Sequence, residues 1–261
     1  MLKKFPQFRL PELISSFADY PYLRIMIKTI LKTKTCKAYV DKLRTPELFL
    51  LDYKVLAFIG GDHTHPFVQE LLKMIPENKM LIFPNENWGK LIQEELVLTA
   101  FPRTSFSSEK LTLDRLNELL TSKLPDGYTL EKINVKTLAS FNAKLSPAIM
   151  PFYKTTREFV RKGLGYCIKE GDFAISFAAS SMPIFDDEFM IQVVTDPNTR
   201  YRRKGFATRV CATLMKESLE KGIIPFWDAD NEIMVRLGLK LGFVKPQNYF
   251  SYICSRNPLK S

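Results

Sequence analysis

The sequence predicts an α+β fold in two parts: a smaller αβ domain over residues 1–124 and a second αβ domain over residues 125–261. Three observations predict it. Short β-periodic runs alternate with amphipathic helical stretches along the whole chain. A turn-rich boundary, Ser122-Lys-Leu-Pro-Asp-Gly127, interrupts them near the middle. Beyond it lie a hairpin signal, an apolar strand and a long helix in direct succession.

The elements follow in order. Pro21 to Thr33 is helical, with Leu23, Ile27, Ile30 and Leu31 near one face. Lys37–Val40, Glu47–Leu51 and Lys54–Ile59 read as strands, the last ended by Gly60-Gly-Asp. His65-Pro66 opens a helix to Met74, because proline costs little where the first N–H has no helical partner. Lys79–Phe83 is a strand, Asn85–Leu98 a helix, and Phe101–Phe106 a strand. Thr112–Leu120 is a short helix striped by Leu113, Leu116 and Leu120.

The second part begins with the strand Tyr128–Ile133, and Val135–Leu145 and Lys154–Lys162 read as helices. Leu164–Lys169 and Phe173–Ala179 form a hairpin around Glu170-Gly-Asp. Phe189–Thr195 is a strongly apolar strand. In the helix Phe206–Lys221, Val210, Leu214 and Leu219 face inward and Arg209, Lys216, Glu217 and Glu220 outward; Gly222 stops it. Ile223–Trp227 is a strand, Asn231–Leu241 a helix ended by Gly242, and Phe243–Cys254 supplies two last strands.

Composition narrows the function. With 46% hydrophobic and 25% charged residues the chain is globular rather than disordered. No apolar run approaches the roughly 18 residues of a membrane span, and the first residues lack the pattern of an export signal. A cytoplasmic protein without a membrane partner is expected. Cys36, Cys167, Cys211 and Cys254 are far apart and read as free thiols. His63 and His65 in Gly60-Gly-Asp-His-Thr-His-Pro read as a polar turn, and no metal is expected. The net charge is +10, and residues 1–44 carry ten Lys/Arg against three acids. Such a surface can attract nucleic acid, but the lysines are spread as on a solvated face and Tyr20 and Tyr22 fall in a core pattern, so nucleic acid is not the expected partner.

One segment carries chemistry. Asp196-Pro-Asn-Thr-Arg-Tyr-Arg-Arg-Lys-Gly-Phe-Ala-Thr joins the apolar strand to the long helix. It sets four cations, Arg200, Arg202, Arg203 and Lys204, before a helix start. A helix N-terminus offers unpaired N–H groups and partial positive charge to an anion. Gly205 lets the backbone approach an oxyanion, and Ala207 keeps the next position small. A pyrophosphate suits this turn; a basic loop that only caps the helix is the alternative.

On these residues the chain resembles the GCN5-related N-acetyltransferase (GNAT) superfamily. Arg202-Arg-Lys-Gly205-Phe-Ala207 matches its Q/R-x-x-G-x-G/A signature. The strand ending in Thr195-Asp-Pro, the long helix, the next strand and Asn231…Leu237…Lys240-Leu-Gly-Phe243 follow in the family's order. Within the superfamily the chain is similar to the branch of the zwittermicin-A-resistance acetyltransferase. The cues are Tyr39-Val-Asp, Phe58-Ile-Gly-Gly-Asp, Leu124-Pro-Asp-Gly-Tyr, Phe159–Gly165 and Pro225-Phe-Trp-Asp.

The resemblance implies an αβα fold with a mixed central sheet and splayed strands, and a first part that is a degenerate GNAT-like or companion domain. It implies acetyl-CoA as co-substrate, held between Phe189–Thr195 and Ile223–Trp227. Backbone groups of Val193, Val194 and Thr195 would pair with the pantetheine arm. Arg202, Arg203, Lys204, Gly205, Phe206, Ala207 and Thr208 would hold the pyrophosphate, and Asn231 would lie near the thiol end. The implied reaction is direct acetyl transfer to a primary amine of a small molecule, by a monomer or homodimer; a non-catalytic acyl-CoA-binding module is the alternative.

Three positions depart from the family's pattern. Met190 stands where relatives carry a Glu, with Glu188 on the same strand face two residues earlier. Gly238 stands where many carry a Tyr, which leaves Asp228, Asp230 and Tyr249 as substitutes. The loop is two residues longer between Pro197 and Tyr201. Glu188, Asp228 and Tyr249 are therefore the candidate catalytic groups.

Overall fold

A computed structural model describes every residue except 19, 142–144, 150, 151 and 257–261. Contacts divide the chain into two compact units, Met1–Ser105 with Asn248–Ser261, and Phe106–Gln247.

The first unit contains β1 (Lys3–Lys4), a 3-10 segment (Gln7–Phe17), α1 (Arg24–Thr33), β2 (Lys37–Val40), β3 (Leu48–Tyr53), β4 (Leu56–Gly61), α2 (Val68–Met74), β5 (Met80–Ile82), α3 (Glu86–Glu95) and β6 (Leu96–Ser107), whose last residues belong to the second unit. The second unit contains α4 (Leu113–Leu120), β7 (Tyr128–Lys132), α5 (Val135–Leu138), α6 (Ser146–Ile149), α7 (Thr156–Lys162), β8 (Gly165–Glu170), β9 (Phe173–Ser180), β10 (Glu188–Thr195), a 3-10 turn (Thr199–Tyr201), α8 (Phe206–Glu220), β11 (Ile224–Phe226), β12 (Asp228–Ala229) and α9 (Glu232–Leu241). Strand β13 (Val244–Arg256) ends in the first unit, where Tyr252 and Ile253 pair with Leu81 and Met80.

The two sheets repeat one topology. In the first unit β1-β2-β3-β4-β5 are neighbours in that order; in the second, β7-β8-β9-β10-β11. In each, the first four strands pair antiparallel in chain order, and the fifth joins the fourth in parallel after a helical crossover. In the second unit one sheet face packs on α8 through Ile168, Ile175, Ala178 and Phe189 against Val210, Leu214 and Met215. The other, with Cys167, Phe177 and Ala179, packs on Leu145, Ile149, Tyr153 and Phe159. The apolar alternation of β8 and β9 is thus buried on both faces.

Side-chain caps fix several helix starts. Thr112 accepts from Arg115 N–H, Thr155 from Glu158 N–H, and Asn134 from Lys136 and Thr137 N–H. Gly242, at φ 108°, ends α9 in the left-handed conformation that favours glycine.

Several expectations change. The helix expected over Asn85–Leu98 ends at Glu95, where Leu-Val-Leu-Thr-Ala-Phe turns extended as β6. The helix expected over Val135–Leu145 stops at Leu138, and Phe141 bridges Ala174; residues 142–144 lie outside the described set. The two last strands are one, because β13 runs on through Pro246-Gln-Asn. The 3-10 segment Gln7–Phe17, with Pro11 inside it, was not expected. The units also divide elsewhere than at 124/125. Leu116 of α4 lies in the α8 core and Arg115 donates to the Lys240 carbonyl, so residues 106–124 go with the second unit.

Candidate functional site

The parting of β10 from β11 builds the site. They pair in parallel over only three residues, Glu188, Phe189 and Met190 against Ile224, Pro225 and Phe226. The ladder begins where Ile224 N–H donates to the Asp187 carbonyl at 2.8 Å. Beyond Phe226 the chain leaves this sheet: the Trp227 carbonyl accepts from Phe106 N–H, and β12 neighbours β6. From Ile191 to Thr195, β10 keeps its pairing with β9 alone.

Ladder parity tells which groups face the gap. Ser181 N–H donates to the Met190 carbonyl and Asp196 N–H to the Ile175 carbonyl, so even-numbered positions of β10 address β9. In an antiparallel pair the alternate positions turn their N–H and C=O the other way. Ile191, Val193 and Thr195 therefore present backbone groups to the gap. Of the three residues named from the sequence, Val194 is the one whose backbone belongs to β9; its side chain packs on the core below, and that of Val193 on the α8 core.

The basic loop closes one end. Asp196, buried, accepts from Asn198 N–H at 2.9 Å, and Asn198 from Arg200 N–H at 3.1 Å. Arg203 (φ 58°) and Gly205 (φ 75°) are both left-handed, which turns successive N–H groups toward one side. A Cβ on Gly205 would meet nothing within 4 Å, so the glycine serves conformation and leaves open space beside the helix start. Gly205 brings no capping side chain, and α8 has no acid in its first turn, so the amides of Phe206, Ala207 and Thr208 keep their pull on an anion.

The four cations divide. Arg200 pairs with Glu170 at 2.7 Å and stacks over the Tyr201 ring. Lys204 lies over the Tyr128 ring and donates to its hydroxyl at 3.2 Å. Arg202 and Arg203, both exposed, form no ion pair among the described residues. Glu170 also accepts from the buried Tyr201 hydroxyl at 2.7 Å, and that bond first of all holds its carboxyl below the usual range. The sequence offered Glu170 only as part of a turn; its pairing with Tyr128 across β7 and β8 is a tertiary contact that no local pattern records.

The remaining candidates lie on separate elements. Glu188, half-buried, starts β10 where the pairing with β11 is intact, and Asp228, half-buried, lies in β12. Tyr249 falls in the first unit, stacked on Tyr22 at 4.1 Å. Asn231 caps α9: its side chain accepts from Met234 N–H at 3.0 Å and donates to Asp230. Trp227 is core, 3% exposed, with its indole N–H on the Met234 carbonyl.

The first unit repeats the gap and fills it. Met80 N–H donates to the Val55 carbonyl at 2.8 Å as Ile224 does to Asp187, and β4 pairs with β5 over three residues. Counting equally along each strand, Gly61 stands where Val193 stands. The Gly61 carbonyl accepts from the indole of Trp88, a fully buried residue of α3, at 3.3 Å. Asn85 caps α3 as Asn231 caps α9. Nearby, ligand atoms of Asp41, Glu47 and His65 lie within 4.8 Å of one another. Each has a partner already. Asp41 accepts from Glu47 and Leu48 N–H, and Glu47 pairs with Lys42. His65 Nδ1 accepts from Phe67 N–H, which puts the ring proton on Nε2, facing Asp41, where a metal would need a lone pair.

Known proteins resemble this chain over most of its length. It is 23% identical over 252 residues to the uncharacterized N-acetyltransferase YdfB of Bacillus subtilis (strain 168), covering 92% of this chain and 94% of that one. A GCN5-related N-acetyltransferase-like protein from Streptococcus suis 89/1591 superposes with a TM-score of 0.78 at 23% identity, over 96% of this chain and 100% of the other. A tandem GNAT protein from the clavulanic acid biosynthesis pathway superposes with a TM-score of 0.55 at 11% identity, over 98% of each chain. Residues 20–252 match the family described as GNAT acetyltransferase, so the chain belongs to that family of N-acetyltransferases.

Proposed function

We propose that the second unit binds acetyl-CoA in the gap between β10 and β11 and passes the acetyl group directly to a primary amine of a small molecule. The observation that carries this reading is the parting of the two strands after Met190 and Phe226, ahead of a helix start flanked by Arg202 and Arg203, which form no ion pair among the described residues. An extended pantetheine arm would add to the Val193–Thr195 edge as a strand does. Arg202, Arg203 and the amides from Lys204 to Thr208 would take the pyrophosphate. The amine nitrogen would bond to the acetyl carbon as the C–S bond breaks, the Val193 N–H stabilising the carbonyl oxygen. The proton leaving the amine would pass through water to Glu188 or Asp228, and the thiolate would take a proton from solvent. Asn231 would act through the start of α9 that it caps.

We place the chain near the zwittermicin-A-resistance branch on Phe58-Ile-Gly-Gly-Asp and Pro225-Phe-Trp-Asp. The first unit we read as a second copy of the same fold with its gap filled by Trp88, a tandem arrangement such as the clavulanic acid protein's description gives for that protein. Four buried free cysteines support a reducing, cytoplasmic setting.

Calorimetry with acetyl-CoA tests the binding, with Gly205→Glu as control; equal affinity in both chains would remove the site. Thiol release over a panel of amines tests the transfer, and turnover on polyanionic or neutral acceptors alone would overturn the amine assignment.

A further inference from the structure

Glu170 touches none of the groups assigned to acetyl-CoA, yet one end of the basic loop hangs on it and the other on its cross-strand partner. Its cross-strand partner is Tyr128, and the two stand side by side where β7 and β8 meet. At one end of the loop, Arg200 and the Tyr201 hydroxyl both donate to Glu170 Oε2 at 2.7 Å. At the other, Lys204 donates to the hydroxyl of Tyr128, the residue that stands opposite Glu170 on the neighbouring strand. Tyr128 also packs its ring on Phe206, the first residue of α8, at 4.8 Å between centroids. Arg202, Arg203 and the left-handed turn at Arg203 and Gly205 lie between these two attachments.

We infer that Glu170 is a positioning residue for acyl-CoA: with Tyr128 it clasps both ends of the basic loop, draws Arg200 and Lys204 aside, and holds Arg202 and Arg203 ready for the pyrophosphate. The inference rests on the acyl-CoA reading of the gap. A loop held before binding loses less freedom when the anion arrives, and that difference enters affinity directly.

Charge alone gives the opposite sign. Glu170 is a negative group beside a site for a polyanion, so deleting it should tighten binding by simple electrostatics. A clasp predicts that deleting it loosens binding. Because Glu170 lies away from the reacting atoms, the effect belongs to acetyl-CoA affinity and KM and not to kcat.

The test compares the full wild-type chain with Glu170→Ala, Glu170→Gln and Tyr201→Phe. Calorimetry with acetyl-CoA gives affinity, amine-dependent thiol release gives KM and kcat, and thermal unfolding confirms that each variant is folded. Glu170→Ala should weaken acetyl-CoA roughly fivefold, the scale of ordering one or two side chains, with kcat unchanged. Glu170→Gln, which keeps an oxygen for Tyr201, should recover part of the loss, and Tyr201→Phe should weaken binding less than Glu170→Ala. Binding by Glu170→Ala as tight as wild type or tighter overturns the clasp, as does a fall in kcat at unchanged KM. A wild-type chain that binds no acetyl-CoA would fail at the earlier step and remove the reading on which the clasp rests.

Discussion

Gly238 lies directly under the indole of Trp227, where an added Cβ would come within 2.7 Å of Nε1. The missing tyrosine at this place in α9 thus has a local cause: the tryptophan already fills the space, with its N–H on the Met234 carbonyl one turn away. Gly238→Ala should destabilise the second unit by about 1–3 kcal/mol, the usual cost of overpacking, although alanine is the better helix former. Denaturant unfolding measures it, and a neutral or stabilising effect would show that Trp227 can move aside.

Arg202 and Arg203, without an ion pair among the described residues, should carry much of the acetyl-CoA affinity. Arg202→Gln and Arg203→Gln should each weaken binding by about tenfold, the scale of one hydrogen bond to a charged group. Each should also flatten the dependence of affinity on salt, since fewer charges then meet the phosphates. Isothermal titration at two ionic strengths checks both; unchanged affinity in both variants would contradict the loop's role.

The Trp88 indole on the Gly61 carbonyl leads to a stoichiometry. Calorimetry should find one acetyl-CoA per chain. The chain has two tryptophans, so Trp227→Phe leaves Trp88 as the only reporter, and its emission should not change as acetyl-CoA saturates the protein. A second equivalent bound with a shift in that emission would show that the first gap opens. Trp88→Ala should cost about 3–5 kcal/mol of stability by leaving a cavity.

Glu217 sets a limit to acid stability. Burial by itself would raise its pKa, but hydrogen bonds from Lys132, Lys221 and Tyr166 outweigh that and bring it down to about 2. A carboxylate with a depressed folded-state pKa adds stability that is complete above its unfolded value, near 4.3, and is lost as pH falls toward about 2. Both lysines are half exposed, so the contribution is discounted to on the order of 1–2 kcal/mol. Unfolding curves between these pH values should be flatter in Glu217→Gln than in wild type; identical slopes would refute the assignment. Glu217 is also a residue whose helical position suggests full exposure, whereas Tyr166 and Lys132 half bury it.

The sequence alone determined what local chemistry fixes. Gly205 before an amphipathic stretch marks a helix start, and the helices expected from Asn85, Thr112 and Asn231 do open at those residues, because each side chain accepts from the N–H three residues on. Alternating runs marked β8 and β9, short strand-like runs β2, β3 and β4, and a strongly apolar run β10. Tertiary structure decided what depends on a distant partner. Only the ladder to β9 turns Val193 rather than Val194 toward the gap, and only the departure of Trp227 toward Phe106 ends the β10–β11 pairing and opens it. Only the pair Tyr128 and Glu170, far from the loop in sequence, holds Lys204 and Arg200 and sets them apart from Arg202 and Arg203. The division of β13 between units has the same origin: its pairing with β5 joins residues far apart in sequence, and no periodicity within one strand records which neighbour it will find.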